Sequence, residues 1–114
     1  SGYAPVVQNV AAHRAIAYRP ATNPPGKIGG FGRWLAGVYP EGIFLQQTAF
    51  EPTGAYPDRS NIQVFACERY VEIETLSPQV QLQPGESLRH GVVWKLLDLP
   101  GGDIGAIVQA CENA

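Results

Sequence analysis

Residues 61–76 read N-I-Q-V-F-A-C-E-R-Y-V-E-I-E-T-L, and this stretch decides the fold. It is rich in β-branched and aromatic residues, and its second half alternates between apolar and charged side chains. A period of two is typical of a half-buried strand and not of a helix. We therefore predict two strands separated by a break near residues 67–69. The second strand places Tyr70, Glu72 and Glu74 on one face, because alternate side chains of a strand point to opposite sides.

Upstream of this stretch the sequence predicts further strands and loops. R-W-L-A-G-V-Y and G-I-F-L-Q-Q-T-A-F are joined by a P-E-G turn and predict a hairpin within residues 33–50. Residues 20–30 hold three prolines and three glycines, which predicts a loop without regular structure. Turn-forming residues fill 51–60, and the alternation over 3–18 favours a strand.

Downstream, the sequence predicts one more strand and a short helix. A Pro-Gly-Glu turn precedes a strand expected from about Leu88 to Leu99, in which we place Trp94 in the core because a large aromatic ring gains much from burial. Asp103 is a candidate N-cap, and the residues after it follow helical spacing. Together these elements predict an all-β fold, an antiparallel β-sandwich with a short C-terminal helix.

Composition limits the class of protein. The 114 residues suit one domain, taken as 3–114, and 45% hydrophobic with 16% charged residues indicate a globular chain. A net charge of -2 without a basic run gives no basis for nucleic-acid binding. No apolar run approaches the roughly 20 residues of a membrane-spanning helix. Two cysteines without ligand spacing favour a reducing, cytoplasmic setting over a disulfide framework.

Two ordered sets of motifs resemble a known family. The segment V-E-I-E-T-L-S-P-Q-V-Q-L-Q-P-G-E-S-L-R-H-G-V-V-W-K-L resembles the closing strands of galactose mutarotase-like proteins, the aldose 1-epimerase superfamily. The preceding Lys-x-Gly element, tryptophan strand and Tyr-Pro-Asp turn resemble an uncharacterised bacterial branch of that superfamily. The resemblance covers residues 27–98. It implies part of a mutarotase-like β-sandwich whose concave sheet face receives a small-molecule carbohydrate. We expect no cofactor, and no metal because the histidines lack ligand spacing.

The resemblance also implies roles for individual residues. Glu74 matches the glutamate that removes a proton from the anomeric hydroxyl, and a hemiacetal opens only if a second group protonates the ring oxygen. Either a carbohydrate-binding protein or a half-sized, isomerase-like epimerase is compatible with this match, so whether the chain is an enzyme stays open. The residues expected to bind the substrate lie in or beside the glycine-rich stretch with the Lys-x-Gly element, in the Tyr-Pro-Asp turn and on the glutamate strand: Lys27, Arg33, Tyr56, Asp58, Tyr70 and Glu72.

Each of these assignments has a simpler alternative. Glutamates two positions apart are also typical of a solvated strand face, and ordinary surface charge is the favoured interpretation of Arg33. Tyr56 and Asp58 belong to a Tyr-Pro-Asp turn that needs no ligand to explain it.

The histidines and the strand edges complete the sequence-based expectations. His13 and His90 are lone histidines without ligand spacing, and the resemblance gives His90 a structural role near the end of the sheet. A second hypothesis is a non-catalytic interaction module that forms a homodimer, because a small sandwich exposes strand edges that must be covered.

Overall fold

The computed structural model describes residues 6–10, 13–17, 26–67 and 69–114, with the backbone alone for the first two ranges. The described chain is mostly β, with a 3₁₀ turn at Pro57–Arg59 and one α-helix. The elements in chain order are β1 Val6–Val10, β2 His13–Ala17, β3 Gly26–Gly30, β4 Trp34–Tyr39, β5 Gly42–Thr48, β6 Ile62–Ala66, β7 Val71–Thr75, β8 Val92–Leu97 and α1 Ile104–Glu112.

The strands form two three-stranded antiparallel sheets and one hairpin. The first sheet has the order β3-β6-β7, the second has the order β4-β5-β8, and β1 pairs with β2. The prediction of an antiparallel, mostly β chain with a short C-terminal helix is confirmed. So are the β4–β5 hairpin and the break between β6 and β7, which Cys67 closes by donating its N–H to the Tyr70 carbonyl at 3.0 Å.

Helix α1 begins where the sequence predicts and covers one face of the second sheet. Asp103 caps it by accepting a hydrogen bond from the Ala106 N–H at 3.3 Å. Beneath the helix, Ile43, Leu45 and Cys111 are at most 1% exposed and form an apolar core. The packing of α1 onto β4 and β5 therefore closes the apolar core.

The two sheets meet on the opposite face of β5. Gln46 is buried there, and its Nε2 donates to the Ile73 carbonyl of β7 at 3.3 Å. Leu35 and Thr48 are buried on the same face. This contact joins the first sheet to the second through β7.

Several predictions about the strands are wrong. Strand β3 lies inside residues 20–30, which were expected to be a loop; its glycines form a strand because β6 pairs with it along its whole length. Residues 20–25 lie outside the described residues. Strand β8 runs only from Val92 to Leu97, and Trp94 is 70% exposed instead of buried, because β8 lies at the edge of the second sheet. The single strand predicted over 3–18 is wrong as well, because the chain forms two strands there, β1 and β2, which pair antiparallel with Val10 opposite His13. The other residues of 3–18 lie outside the described ranges.

Within the part of the chain that the structure describes, no helix has the length and apolar character needed to cross a bilayer. Both cysteines, Cys67 and Cys111, are free thiols.

Candidate functional site

The candidate site lies on one face of the first sheet. The register places Lys27 opposite Phe65 and Phe65 opposite Glu72, while Gln63 stands opposite Glu74 in a neighbouring row. Directly paired residues of an antiparallel sheet share a face, as do residues two positions apart on a strand. Strands β3, β6 and β7 therefore bring these five side chains to a single surface, which we call the Glu74 face.

Lys27 and Glu74 form an ion pair at the centre of the Glu74 face. The Lys27 Nζ lies 3.9 Å from the Glu74 Oε2, and the two side chains are 48% and 37% exposed. A pair this open to water contributes little to stability, since solvent screens the charges and both side chains lose freedom. Both groups remain accessible to a ligand that approaches the sheet.

Two aromatic rings flank the ion pair. Phe65 and Tyr70 have ring centroids 5.9 Å apart at an interplanar angle of 44°, and Tyr70 is 55% exposed. Charge on the nearby Cys67 sulfur, followed by the Glu72 carboxylate, raises the pKa of the Tyr70 hydroxyl above its ordinary value. Tyr70 is therefore neutral at physiological pH and can both donate and accept a hydrogen bond.

The Tyr-Pro-Asp turn borders the same face. A Cβ added to Gly29 would stand 2.6 Å from the Ser60 Oγ, so the residue after the turn lies directly on the sheet at this glycine. Ser60 is buried, and its hydroxyl accepts a hydrogen bond from the Gln63 Nε2 at 2.7 Å. Because Gln63 is the cross-strand neighbour of Glu74, the turn closes the Glu74 face at one end.

Asn61 holds the backbone around this border. Its side chain is fully buried, donates to the Gly32 carbonyl at 2.8 Å and accepts from the Gly32 N–H at 2.9 Å. Its own N–H donates to the Gly30 carbonyl at 3.0 Å, and its carbonyl accepts from the Leu76 N–H at 2.9 Å. The Asn61 side chain thus fixes the chain just after β3, and the Asn61 backbone fixes the chain just after β7.

The Tyr-Pro-Asp turn has an uncommon backbone conformation. Asp58 and Arg59 have φ values of 55° and 50°, in the left-handed region that non-glycine residues rarely adopt. Such a residue costs about 1 kcal/mol or more, and strained residues cluster at functional sites. Tyr56 stabilises the entry to the turn, since its hydroxyl accepts from the Glu51 N–H at 3.0 Å and its ring packs 5.7 Å from that of Phe50.

The structure thus brings most of the sequence-predicted site together. Tyr70 packs against Phe65 on the Glu74 face, and Tyr56 and Asp58 belong to the turn that borders it. Arg33 lies apart in the connection from β3 to β4, where its carbonyl accepts from the Thr48 N–H at 2.9 Å.

Three residues of this region were missed by the sequence analysis: Phe65, Ser60 and Gln63. Phe65 and Gln63 were detectable only from the cross-strand register. The signal for Ser60 was Gly29 on β3, which faces Ser60 and has no side chain to displace it.

A separate cleft of about 280 Å³ lies at the far end of the second sheet. It is lined by the β4–β5 turn and the end of β8, including Tyr39, Glu41, Phe44, Leu96 and Asp98. None of the predicted site residues lines it. No group of three metal-ligating side chains occurs among the described residues.

Comparisons of the chain with family models, with curated proteins and with solved structures gave no significant match.

Proposed function

We propose that this chain binds a small carbohydrate on the Glu74 face. The observation that carries the proposal is the half-exposed ion pair between Lys27 and Glu74, placed beside the ring pair of Phe65 and Tyr70. Ligand sites combine a few polar groups that orient the ligand with apolar and aromatic area that holds it. A sugar needs both, because each ring carries hydroxyl groups at its rim and C–H groups on its faces.

The groups on this face complement a sugar chemically. Hydroxyl groups of the ligand donate to the carboxylates of Glu72 and Glu74, and the ammonium of Lys27 donates to a hydroxyl or ring oxygen. The rings of Phe65 and Tyr70 pack against a C–H face. The mutarotase-like sandwich is part of this proposal, and the contact between two three-stranded antiparallel sheets supports it.

Binding is preferred to epimerisation because His90, the one histidine whose side chain is described, does not lie on the Glu74 face. Epimerisation requires Glu74 to take the anomeric proton while an acid protonates the ring oxygen. His90 Nε2 instead lies 2.8 Å from the Thr75 Oγ1. Thr75 follows Glu74 on β7 and points to the opposite face, so this contact holds the His90 ring away from the Glu74 face.

Saturation-transfer NMR with a panel of hexoses tests the proposal. We expect transfer to at least one sugar and a loss of about tenfold or more in affinity for Glu74→Gln, since hydrogen bonds to charged groups contribute about 1.5–3 kcal/mol. Glu86→Gln is the matched control, because Glu86 is exposed in the Pro-Gly-Glu turn and the amide oxygen can still accept from the Gln83 N–H. No transfer to any sugar, or equal affinity in Glu74→Gln, contradicts the proposal.

Polarimetry of a freshly dissolved sugar that binds separates binding from catalysis. We expect the rate of optical change to equal that of the buffer. A faster rate that Glu74→Gln abolishes would instead establish the epimerase, with Glu74 as its base.

A further inference from the structure

Strand β8 is an edge that no other described strand protects. It lies at one side of the second sheet, and none of the backbone hydrogen bonds outside the strand ladders of the described residues involves Val92–Leu97. Natural edge strands are usually short, interrupted by proline or a bulge, or charged, since free N–H and C=O groups otherwise recruit another strand. β8 has six residues, no proline or glycine, and Lys95 as its single charge.

Apolar side chains are exposed on both faces of this edge. Trp94 and Leu96 point to one face and are 70% and 86% exposed, while Val93 points to the other and is 54% exposed. The Trp94 ring contacts Phe44 of β5 edge-on, with centroids 5.5 Å apart. A ligand or helix lying on one face would leave the other uncovered. A strand that continues the sheet covers both faces and pairs the free backbone groups as well.

We propose that this strand is supplied by a second copy of the chain, whose β8 pairs antiparallel with the first about a two-fold axis centred on Trp94. This register sets the two Trp94 residues opposite each other and Leu96 opposite Val92 on the same face. A register centred on Lys95 would place two ammonium groups opposite each other, which is destabilising. Centring on Trp94 instead pairs Lys95 with Val93.

Charge complementarity at the ends of the pair favours a second copy as the occupant. In the proposed register Asp98, which follows β8, comes opposite His90 of the second copy, with Arg89 one position further along. Asp98 and Glu41 both line the cleft at this end of the sheet, so negative charge gathers where the basic residues of the other copy arrive. The two-fold axis repeats the arrangement at the other end.

The expected interface is of modest size. A tryptophan buries about 150–250 Å², so two copies of Trp94, Leu96 and Val93 with their backbone give an interface of the order of 1,000 Å². This is somewhat below the size of standard stable interfaces, so we infer a dimer that dissociates in the micromolar range. The Glu74 face belongs to the other sheet, and sugar binding is independent of this pairing.

Sedimentation velocity over a dilution series tests the dimer. We expect the wild-type chain to be dimeric at high micromolar concentration and Leu96→Lys to be monomeric throughout. The substitution leaves the fold intact because the side chain it replaces is almost fully exposed. Val80→Lys is the matched control, since Val80 is 49% exposed and lies outside the strands; it should dimerise like wild type. A wild-type monomer at every concentration, or a dimer that Leu96→Lys leaves unchanged, overturns the proposal.

Disulfide trapping tests the register without changing Trp94. Two variants with one added cysteine each, Val93→Cys and Lys95→Cys, are made in a Cys67→Ser background. In the proposed register, residue 93 of one chain lies directly opposite residue 95 of the other. Their Cα atoms are then about 4.5–5.5 Å apart, which permits a disulfide. Like residues are offset along the strands beyond about 7 Å. Cross-linked dimer should therefore form in a mixture of the two variants and not in either alone. Equal cross-linking in the separate variants overturns the register.

Discussion

Two regions of this protein are equally buried and built from opposite chemistry. Under α1, Ile43 and Leu45 are at most 1% exposed and entirely apolar. Beside the Glu74 face, Ser60, Asn61 and Gln63 are at most 4% exposed and entirely polar. The comparison teaches that burial alone does not say what a residue contributes: the apolar region supplies free energy of folding, whereas the polar region fixes the positions of backbone segments.

The free energies of apolar burial and of hydrogen bonding explain why the two regions contribute differently. Burying a leucine contributes about 1.5–3 kcal/mol from the hydrophobic effect alone. A hydrogen bond nets only about 1 kcal/mol, because the unfolded chain makes the same bond to water. Its directionality, however, selects one arrangement, and the pair of bonds from the Asn61 side chain to Gly32 does this for the border of the site.

The largest effect is expected from Leu45→Ala. Leu45 is completely buried, so the substitution should lower the free energy of unfolding by about 3 kcal/mol through lost burial and the cavity left behind. Urea denaturation measures the change. While the variant is folded, sugar binding should be unaffected, because Leu45 lies in the second sheet. If the free energy of unfolding falls by less than about 1 kcal/mol, neighbouring side chains fill the cavity at position 45 and Leu45 does not anchor the core.

A smaller effect on stability, with a larger one on binding, is expected from Gly29→Ala. The added Cβ would lie 2.6 Å from the Ser60 Oγ and must displace the turn that borders the Glu74 face. Overpacking costs about 1–3 kcal/mol and is partly offset by the gain from replacing a strand glycine, so we expect a net loss of about 1 kcal/mol and clearly weaker saturation transfer.

Gly30→Ala is the control for this comparison. An added Cβ at Gly30 meets no atom within 4 Å, so stability and binding should stay at wild-type values or stability should rise slightly. If the two alanine variants bind sugar equally well, the position of the turn does not matter to the site.

The smallest effect concerns Cys111 and pH. Burial, and then the Glu112 carboxylate, raise the pKa of this thiol above its ordinary value. The unfolded thiol ionises near pH 8.5, so unfolding releases a proton above that pH and stability falls as the pH rises toward the folded pKa. Below about pH 8 the contribution is constant. Urea denaturation across this range should show a steeper decline for wild type than for Cys111→Ala; parallel declines would contradict the assignment.

The sequence predicted the features that depend on local chemistry. The alternation around Glu72 and Glu74 identified β7 and its faces, and Asp103 marked the start of α1 because capping and periodicity are local signals. The shared face of Tyr70, Glu72 and Glu74 follows from the same alternation, whereas the family resemblance singled out Glu74 and the Tyr-Pro-Asp turn.

What the sequence did not predict depends on pairing across the chain. β3 was mistaken for a loop because glycine is a weak strand former, and only the pairing with β6 makes a strand of it. Ser60 was assigned to a turn and Asn61 to the start of a strand, whereas the partners of their side chains lie on β3 and in the connection after it. Trp94 was placed in the core since size favours burial, but its edge position depends on strand order, which local patterns do not contain.

The crossing between the two sheets has a practical consequence. Residues 79–91 are exposed at every position, and they lead from β7 in the first sheet to β8 in the second. Exposed segments outside regular structure accept insertions and are the first to be cut by proteases. A peptide tag or fluorescent reporter fits here without entering either sheet. Trypsin acting after Arg89 would leave β8 in place through its ladder with β5, turning one chain into two associated fragments.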